Sequence, residues 1–360
     1  MAKNIVICAD GTGNKFSNEN TNVVRLYQTL KLDNFSTQIS YYHGGLGTMG
    51  AVGAFSQLGK RWTKIKGMAF GSGLSEAIAG IYTFLMDTYE EGDRIYLYGF
   101  SRGAYTVRAL SGMLEMFGLL RKHHYNQIDY AIEMLRAKQS AESFQVAAQY
   151  KATFSQAVPI HFMGVWDTVS SVQLSPWEAL SVPYTAQTPN LMTGRHALAI
   201  DERRCFFRQN LWGTPLDGQN LKQVWFAGVH SDVGGGYPEA ESGLSKLSLE
   251  WMMQESVASG LIVDGAKVAQ MLGTTRADGE IHPSLKGAWL ALEALPHRHY
   301  VYAEKRWKWK LPLGQRRRIL ETAVLHESVR QRMGLGLGYA PLNLPQASSV
   351  EPWVRWSPQS

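Results

Sequence analysis

Residues 97–108 read L-Y-G-F-S-R-G-A-Y-T-V-R, with Ser101 between Gly99 and Gly103. The residues leading in, R-I-Y-L-Y (94–98), are rich in β-branched and aromatic types. Those leading out, A-Y-T-V-R-A-L-S-G-M-L (104–114), carry apolar side chains at helical spacing. This pattern predicts a strand that turns sharply into a helix at Ser101. A serine hydroxyl is a weak nucleophile, so an enzyme that uses one must expose the oxygen at such a turn and set a base against it. The flanking glycines would let strand and helix pack closely, and the helix start would aim free N–H groups at developing negative charge. A serine in a tight turn can also be no more than a small residue that fits.

On that template an acid and then a histidine follow, each just past a strand. Asp167 follows I-H-F-M-G-V-W (160–166), while His230 follows V-W-F-A-G-V (224–229) and opens H-S-D-V-G-G-G-Y. Both positions fall at the carboxyl edge of a parallel sheet, beside Ser101. The bland alternatives are a loop cap for Asp167 and a satisfied polar residue for His230. Asp201 and Asp232 are rival acids, whereas His43, His123, His124, His161 and His196 lack comparable context. An oxyanion hole needs two N–H groups. The expected donors are Arg102, directly after the serine, and Gly11 or Thr12 in A-D-G-T-G-N (9–14). Asp10 would tie down that loop or Arg102.

Strand-type runs recur at 5–9, 39–42, 94–98, 160–166 and 224–229, and helical patterns lie at 74–89, 104–117, 128–149 and 244–259. Strands alternating with helices predict an α/β-hydrolase fold, with a mostly parallel sheet covered by helices on both faces. Residues 1–260 read as the catalytic core. Loops at about 44–66 and 170–195, together with 261–360, read as a cap in which Trp177, Tyr184 and Leu191 supply apolar surface.

Hydrophobic residues make up 45% of the 360, which suits a globular protein with a sizeable core and sets aside disordered and fibrous classes. Cys8 in an apolar run and Cys205 beside Phe206 read as buried thiols, not a disulfide framework. The N-terminus enters a strand directly, without a Sec-type signal, and the weakly charged stretch 67–86 is interrupted by Glu76 and glycines. It reads as a buried helix, not a transmembrane segment. The expected location is cytoplasmic, or outside the cell by a route that needs no such signal. The net charge of +6 is concentrated at Lys305–Lys310 and Arg316–Arg318. Such clusters read as a solvated face or a peripheral contact with an anionic membrane, and no nucleic-acid partner is expected. No Gly-x-Gly-x-x-Gly turn, Gly-Lys-Ser/Thr or metal-ligand spacing occurs, so no cofactor or metal is expected.

Several motifs resemble, in order, those of the DUF2235 family, the α/β-hydrolase group that includes the catalytic domains of Tle1-type phospholipase effectors of bacterial type VI secretion. They are D-G-T-G-N (10–14), T-N-V-V-R-L (21–26), Y-G-F-S-R-G-A-Y-T-V-R (98–108), G-V-W-D-T-V (164–169), A-I-D-E-R-R (199–204) and V-H-S-D-V-G-G-G-Y (229–237). Past residue 260 the resemblance thins to H-E-S-V-R-Q-R (326–332). It implies a Ser-Asp-His hydrolase with Ser101, Asp167 and His230 at the triad positions, acting on phospholipids or other lipid esters. The chain departs from such effectors in size: they usually carry additional membrane-anchoring regions, whereas this sequence is expected to be close to the bare hydrolase domain. The residues alone leave open a small-ester esterase, an acyltransferase, and a lipid- or partner-binding protein without turnover.

Overall fold

The computed structural model describes residues 2–11, 19–45, 72–137, 139–169, 182–301 and 306–357. Eight strands build one sheet: β1 (Asn4–Ala9), β2 (Gln38–His43), β3 (Arg94–Phe100), β4 (Ile160–Trp166), β5 (Leu191–Ala199), β6 (Asn220–Phe226), β7 (Val324–His326) and β8 (Ser349–Glu351). Their order is β8-β7-β6-β5-β4-β3-β1-β2. Every neighbouring pair is parallel. All six residues of β1, N-I-V-I-C-A, are buried, as expected of a parallel strand covered on both faces.

The helices that do the covering include α1 (Asn22–Thr29), α2 (Ser72–Thr88), α3 (Arg102–Phe117), α4 (Ile128–Arg136), α5 (Ala141–Phe154), α6 (His230–Gly234), α7 (Gly243–Ala258) and α8 (Gly265–Leu272). Side chains alternate across a strand, so each strand feeds two cores. Ile5, Ile7, Ile95 and Leu97 pack with α2, α3, α4 and α5 on one face. Val6, Cys8, Tyr96 and Tyr98 pack with α1, α7 and α8 on the other. This is the α/β-hydrolase architecture, with the sheet wholly parallel.

Several expectations need correction. The stretch 191–195, read as cap loop, belongs to β5, which lies between β4 and β6 in the middle of the sheet. Leu191 is therefore a core residue and not part of a cap. Arg195 and His196 disguise this strand, yet both are buried with partners. Arg195 Nε donates to Glu255 Oε2 at 2.6 Å, and His196 Nε2 accepts the Thr168 N–H at 3.1 Å. Tyr184 is half-buried, with its ring against Phe144. Trp177 and the proposed cap residues 46–66 and 170–181 lie outside the described residues.

The single helix expected over 128–149 is two, α4 and α5. Ser140 caps α5 by accepting the Ser143 N–H, and Ser143 Oγ returns the bond to the Ser140 N–H. The stretch E-T-A-V-L-H-E-S-V-R-Q-R-M (321–333) has a helix-like pattern, yet V-L-H within it is strand β7, paired with β6. The basic, tryptophan-bearing stretch forms an antiparallel hairpin, His297–Val301 with Arg306–Lys310. Cys8 and Cys205 are free thiols, buried and half-buried respectively. Among the described residues no helix is long and apolar enough to cross a membrane.

Candidate active site

The carboxyl ends of β1, β3 and β4 lie level, with Ala9 opposite Gly99 and Phe100 opposite Trp166. The next residues are therefore delivered to one rim of the sheet. Ser101 closes β3 through its N–H, which donates to the Trp166 carbonyl at 3.0 Å, and then turns at φ 59°, ψ −121° into α3. A positive φ strains a side-chain-bearing residue, and here it lifts the serine onto the turn. Both glycines are required by close approach. A Cβ on Gly99 would sit 2.6 Å from the Ala104 backbone, and one on Gly103 would collide with the Ala9 and Asp10 carbonyl oxygens.

Asp167 follows β4 directly, also at positive φ (39°), with its N–H on the Ala197 carbonyl at 2.7 Å. Its carboxylate is fully buried and lies 2.6 Å from His230, Oδ2 to Nδ1. The other oxygen receives the Ala199 N–H at 3.0 Å. The His230 ring packs between Phe100, 4.5 Å away, and Phe207, 4.8 Å away. Phe100 immediately precedes Ser101, so the imidazole stands next to the serine turn. Nδ1 is committed to Asp167, and Nε2 is the nitrogen free to act. Among the described residues Ser101 Oγ makes no hydrogen bond.

Arg317 completes this arrangement, and it was not expected there. The Arg316–Arg318 run read as a solvated face, yet the Arg317 side chain is buried against Asp167. Nη1 donates to Oδ1 at 2.5 Å and Nη2 to Oδ2 at 3.0 Å. The same guanidinium donates to the Ala199 and Phe207 carbonyls. The available signal was a weak one: Arg317 and Ile319 point inward while Arg316, Arg318 and Leu320 are exposed, the period-two pattern of an extended segment. Burial alone would push the Asp167 carboxyl up, but Arg317 and His230 outweigh it and hold the group well below the usual range.

Glu202 was also missed, although the motif A-I-D-E-R-R contains it. It is fully buried and accepts the His230 N–H at 3.2 Å and two bonds from the Arg204 guanidinium at 2.9 and 2.8 Å. Burial works to raise its pKa, but Arg204 brings it down to about 2. The rival acids turn elsewhere. Asp201 accepts from the Gly228 N–H and the Tyr339 hydroxyl. Asp232 accepts from the Val229 N–H and meets His282 Nδ1 at 2.6 Å.

The loop after β1 is pinned by Asp10. One oxygen takes the Gly11 N–H at 2.6 Å, and the other takes the hydroxyls of Thr21 and Tyr42 at 2.8 and 3.0 Å. The Gly11 N–H is thus engaged with Asp10, and Thr12 lies outside the described residues. The Arg102 N–H opens α3 and has no hydrogen-bond partner among the described residues. Its half-buried guanidinium has none there either, and burial lowers its pKa to about 10. Among the described residues no cluster of His, Cys, Asp and Glu has the makings of a metal site.

Comparison with known proteins gives the family. Residues 3–255 match the family described as the T6SS phospholipase effector Tle1-like catalytic domain. An uncharacterized protein of Saccharomyces cerevisiae is 35% identical over 229 residues, 59% of this chain and 33% of that one. The chain therefore spans about a third of the length of that relative. Among solved structures, an uncharacterized Pseudomonas aeruginosa protein is similar at TM-score 0.42 and 17% identity, over 73% of this chain and 47% of that one. The Tle1 effector bound to the VgrG spike of the type VI secretion system is similar at 0.37 and 19%, over 68% and 52%. Matched over more than half of its length, the chain belongs to the family of T6SS phospholipase effector Tle1-like catalytic domains.

Proposed function

We propose that this protein is a serine hydrolase that cleaves carboxylic esters of lipids, phospholipids first among them, through an acyl-enzyme. The carrying observation is the 2.6 Å contact between His230 Nδ1 and the buried Asp167 carboxylate, set beside the strained turn of Ser101. In this reading Ser101 Oγ attacks the ester carbonyl while His230 Nε2 takes its proton. The proton passes to the leaving alcohol oxygen as the C–O bond breaks. A water, deprotonated by the same nitrogen, then releases the fatty acid and restores Ser101. Asp167 keeps the imidazole in the Nδ1–H tautomer and stabilises it when charged. The Arg102 N–H at the start of α3 serves as one oxyanion donor; of the other expected donors, Gly11 gives its N–H to Asp10 and Thr12 lies outside the described residues. A serine–histidine hydrogen bond that forms only with substrate bound is common in such sites. The preference for lipid rests on family membership. The basic, tryptophan-bearing strand pair of His297–Val301 and Arg306–Lys310 would suit contact with an anionic membrane.

The test is a fluorophosphonate label together with hydrolysis of short-chain esters and phospholipid vesicles, comparing the protein with a folded Ser101→Ala variant. Labelling and hydrolysis should both fall by at least about 10³-fold in the variant. Equal activity in the two proteins, or no labelling of either, would overturn the reading. Turnover confined to short esters would overturn its lipid part.

A further inference from the structure

We propose that Arg317 is a positioning residue of the active site. Its guanidinium holds the Asp167 carboxylate by both oxygens and, as a fixed counter-charge, keeps His230 unprotonated at mildly acidic pH. This inference rests on the serine-hydrolase reading of Ser101, Asp167 and His230. Arg317 lies beyond residue 255, where the family match ends, so nothing in that match assigns it.

The geometry carries two separate effects. The first is orientation. The imidazole and the Ala199 N–H each hold one oxygen of the carboxylate by a single bond, and Arg317 adds a second to each, from Nη1 to Oδ1 and from Nη2 to Oδ2. Such a fork fixes the carboxylate plane, because both of its oxygens are tied to a rigid planar donor. The fork is itself anchored to the Ala199 and Phe207 carbonyls, and Phe207 packs on the His230 ring. The plane of the acid and the setting of the base are therefore held by one side chain.

The second effect is charge. An ionised aspartate alone would favour the imidazolium; paired with a guanidinium it forms a nearly neutral unit and favours it less. Among the other groups around His230, Arg204 also disfavours the imidazolium, but its charge is spent on Glu202 and does not touch Asp167. Glu202 accepts the His230 N–H but is closed by Arg204, and Asp232, on the His230 helix, is closed by His282. Removing the Arg317 charge leaves a buried carboxylate whose remaining cationic partner is a protonated His230. Proton uptake by the pair then becomes easier, and the acid limb of activity moves to higher pH.

The experiment compares the protein with Arg317→Met and Arg317→Lys, reading kcat and KM on a soluble ester and the rate of fluorophosphonate labelling against pH. Folding of each is checked by circular dichroism. In Arg317→Met the acid limb of both profiles should move up by about one pH unit or more, with kcat lowered at least about tenfold and KM within about twofold. Arg317→Lys keeps a charge but loses the fork, so its acid limb should stay near that of the unaltered protein while kcat still falls. A folded Arg317→Met with an unmoved acid limb overturns the charge effect. Should that variant fail to fold, Arg317→Lys still decides the orientation effect, which is overturned by an unchanged kcat. Failure of the serine-hydrolase reading would be seen separately, as absent labelling in the unaltered protein.

Discussion

His282 Nδ1 lies 2.6 Å from Asp232 Oδ1, and the second oxygen of that carboxylate receives the Val229 N–H at 2.9 Å, one residue before His230. His282 thus steadies the turn on which the proposed base stands. Its ring stacks on Tyr237 at 3.7 Å, and its Nε2 meets Glu241 at 3.1 Å.

Replacing His282 by alanine should destabilise the protein by about 2 kcal/mol, because Asp232 is left buried without its main partner. The pH dependence has a definite sign. Burial pushes the His282 imidazole down, but Asp232 and Glu241 more than offset it and raise the value above 6.5. A raised folded value gives a contribution that is complete below the unfolded value and is lost as pH climbs through the folded one. The difference in Tm between the protein and His282→Ala should therefore narrow as pH rises above 6.5. A gap that widens over that range would contradict the assignment.

Activity should have its own acid limit. Burial pushes the His230 imidazole down, and the Asp167 contact offsets only part of this, so the group lies below 6.5. The base is the neutral form, so the midpoint of the acid limb of kcat/KM should lie below pH 6.5, where His230 takes up a proton. A profile already half-lost at pH 7 would show that the imidazole is not so placed.

Gly103→Ala should be among the most damaging small substitutions in the chain. The added methyl has no room beside the Ala9 and Asp10 carbonyls, which are backbone atoms at the end of β1 and cannot yield as a flexible side chain would. A loss of at least about 2 kcal/mol is expected from the shift of the denaturant midpoint, with hydrolysis falling in the same variant. A midpoint within experimental error of the unaltered protein would mean that α3 and β1 are less closely packed than described.

What could be read from sequence was what is local. The Ser101 turn announces itself because strand pattern, helix pattern and two close-approach glycines all fall within a dozen residues. Asp167 and His230 stand out because each ends an apolar run. Glu202 and His282 were illegible, and Arg317 left only a weak period-two trace, because a charged residue looks the same whether it faces water or a partner far along the chain. Arg317 meets a carboxylate 150 positions away. Strand β5 was hidden for the same reason. Arg195 and His196 break its apolar pattern, and the Glu255 and Thr168 that satisfy them are distant in sequence. The three-residue strand β7 lies inside a helix-like run and is defined by its pairing with β6, not by its own composition.

The order of elements along the chain has a consequence for biosynthesis. A ribosome delivers Ser101, Asp167 and His230 well before Arg317 or the strands β7 and β8. Until Val324–His326 emerges, β6 is an unpaired parallel edge, the kind of surface that invites pairing with another chain. Until Arg317 emerges, Asp167 lacks its counter-charge. The nascent polypeptide therefore holds every reacting group inside an unfinished frame, and a fragment terminated after residue 255 would carry the family's motifs without the closure that sets them.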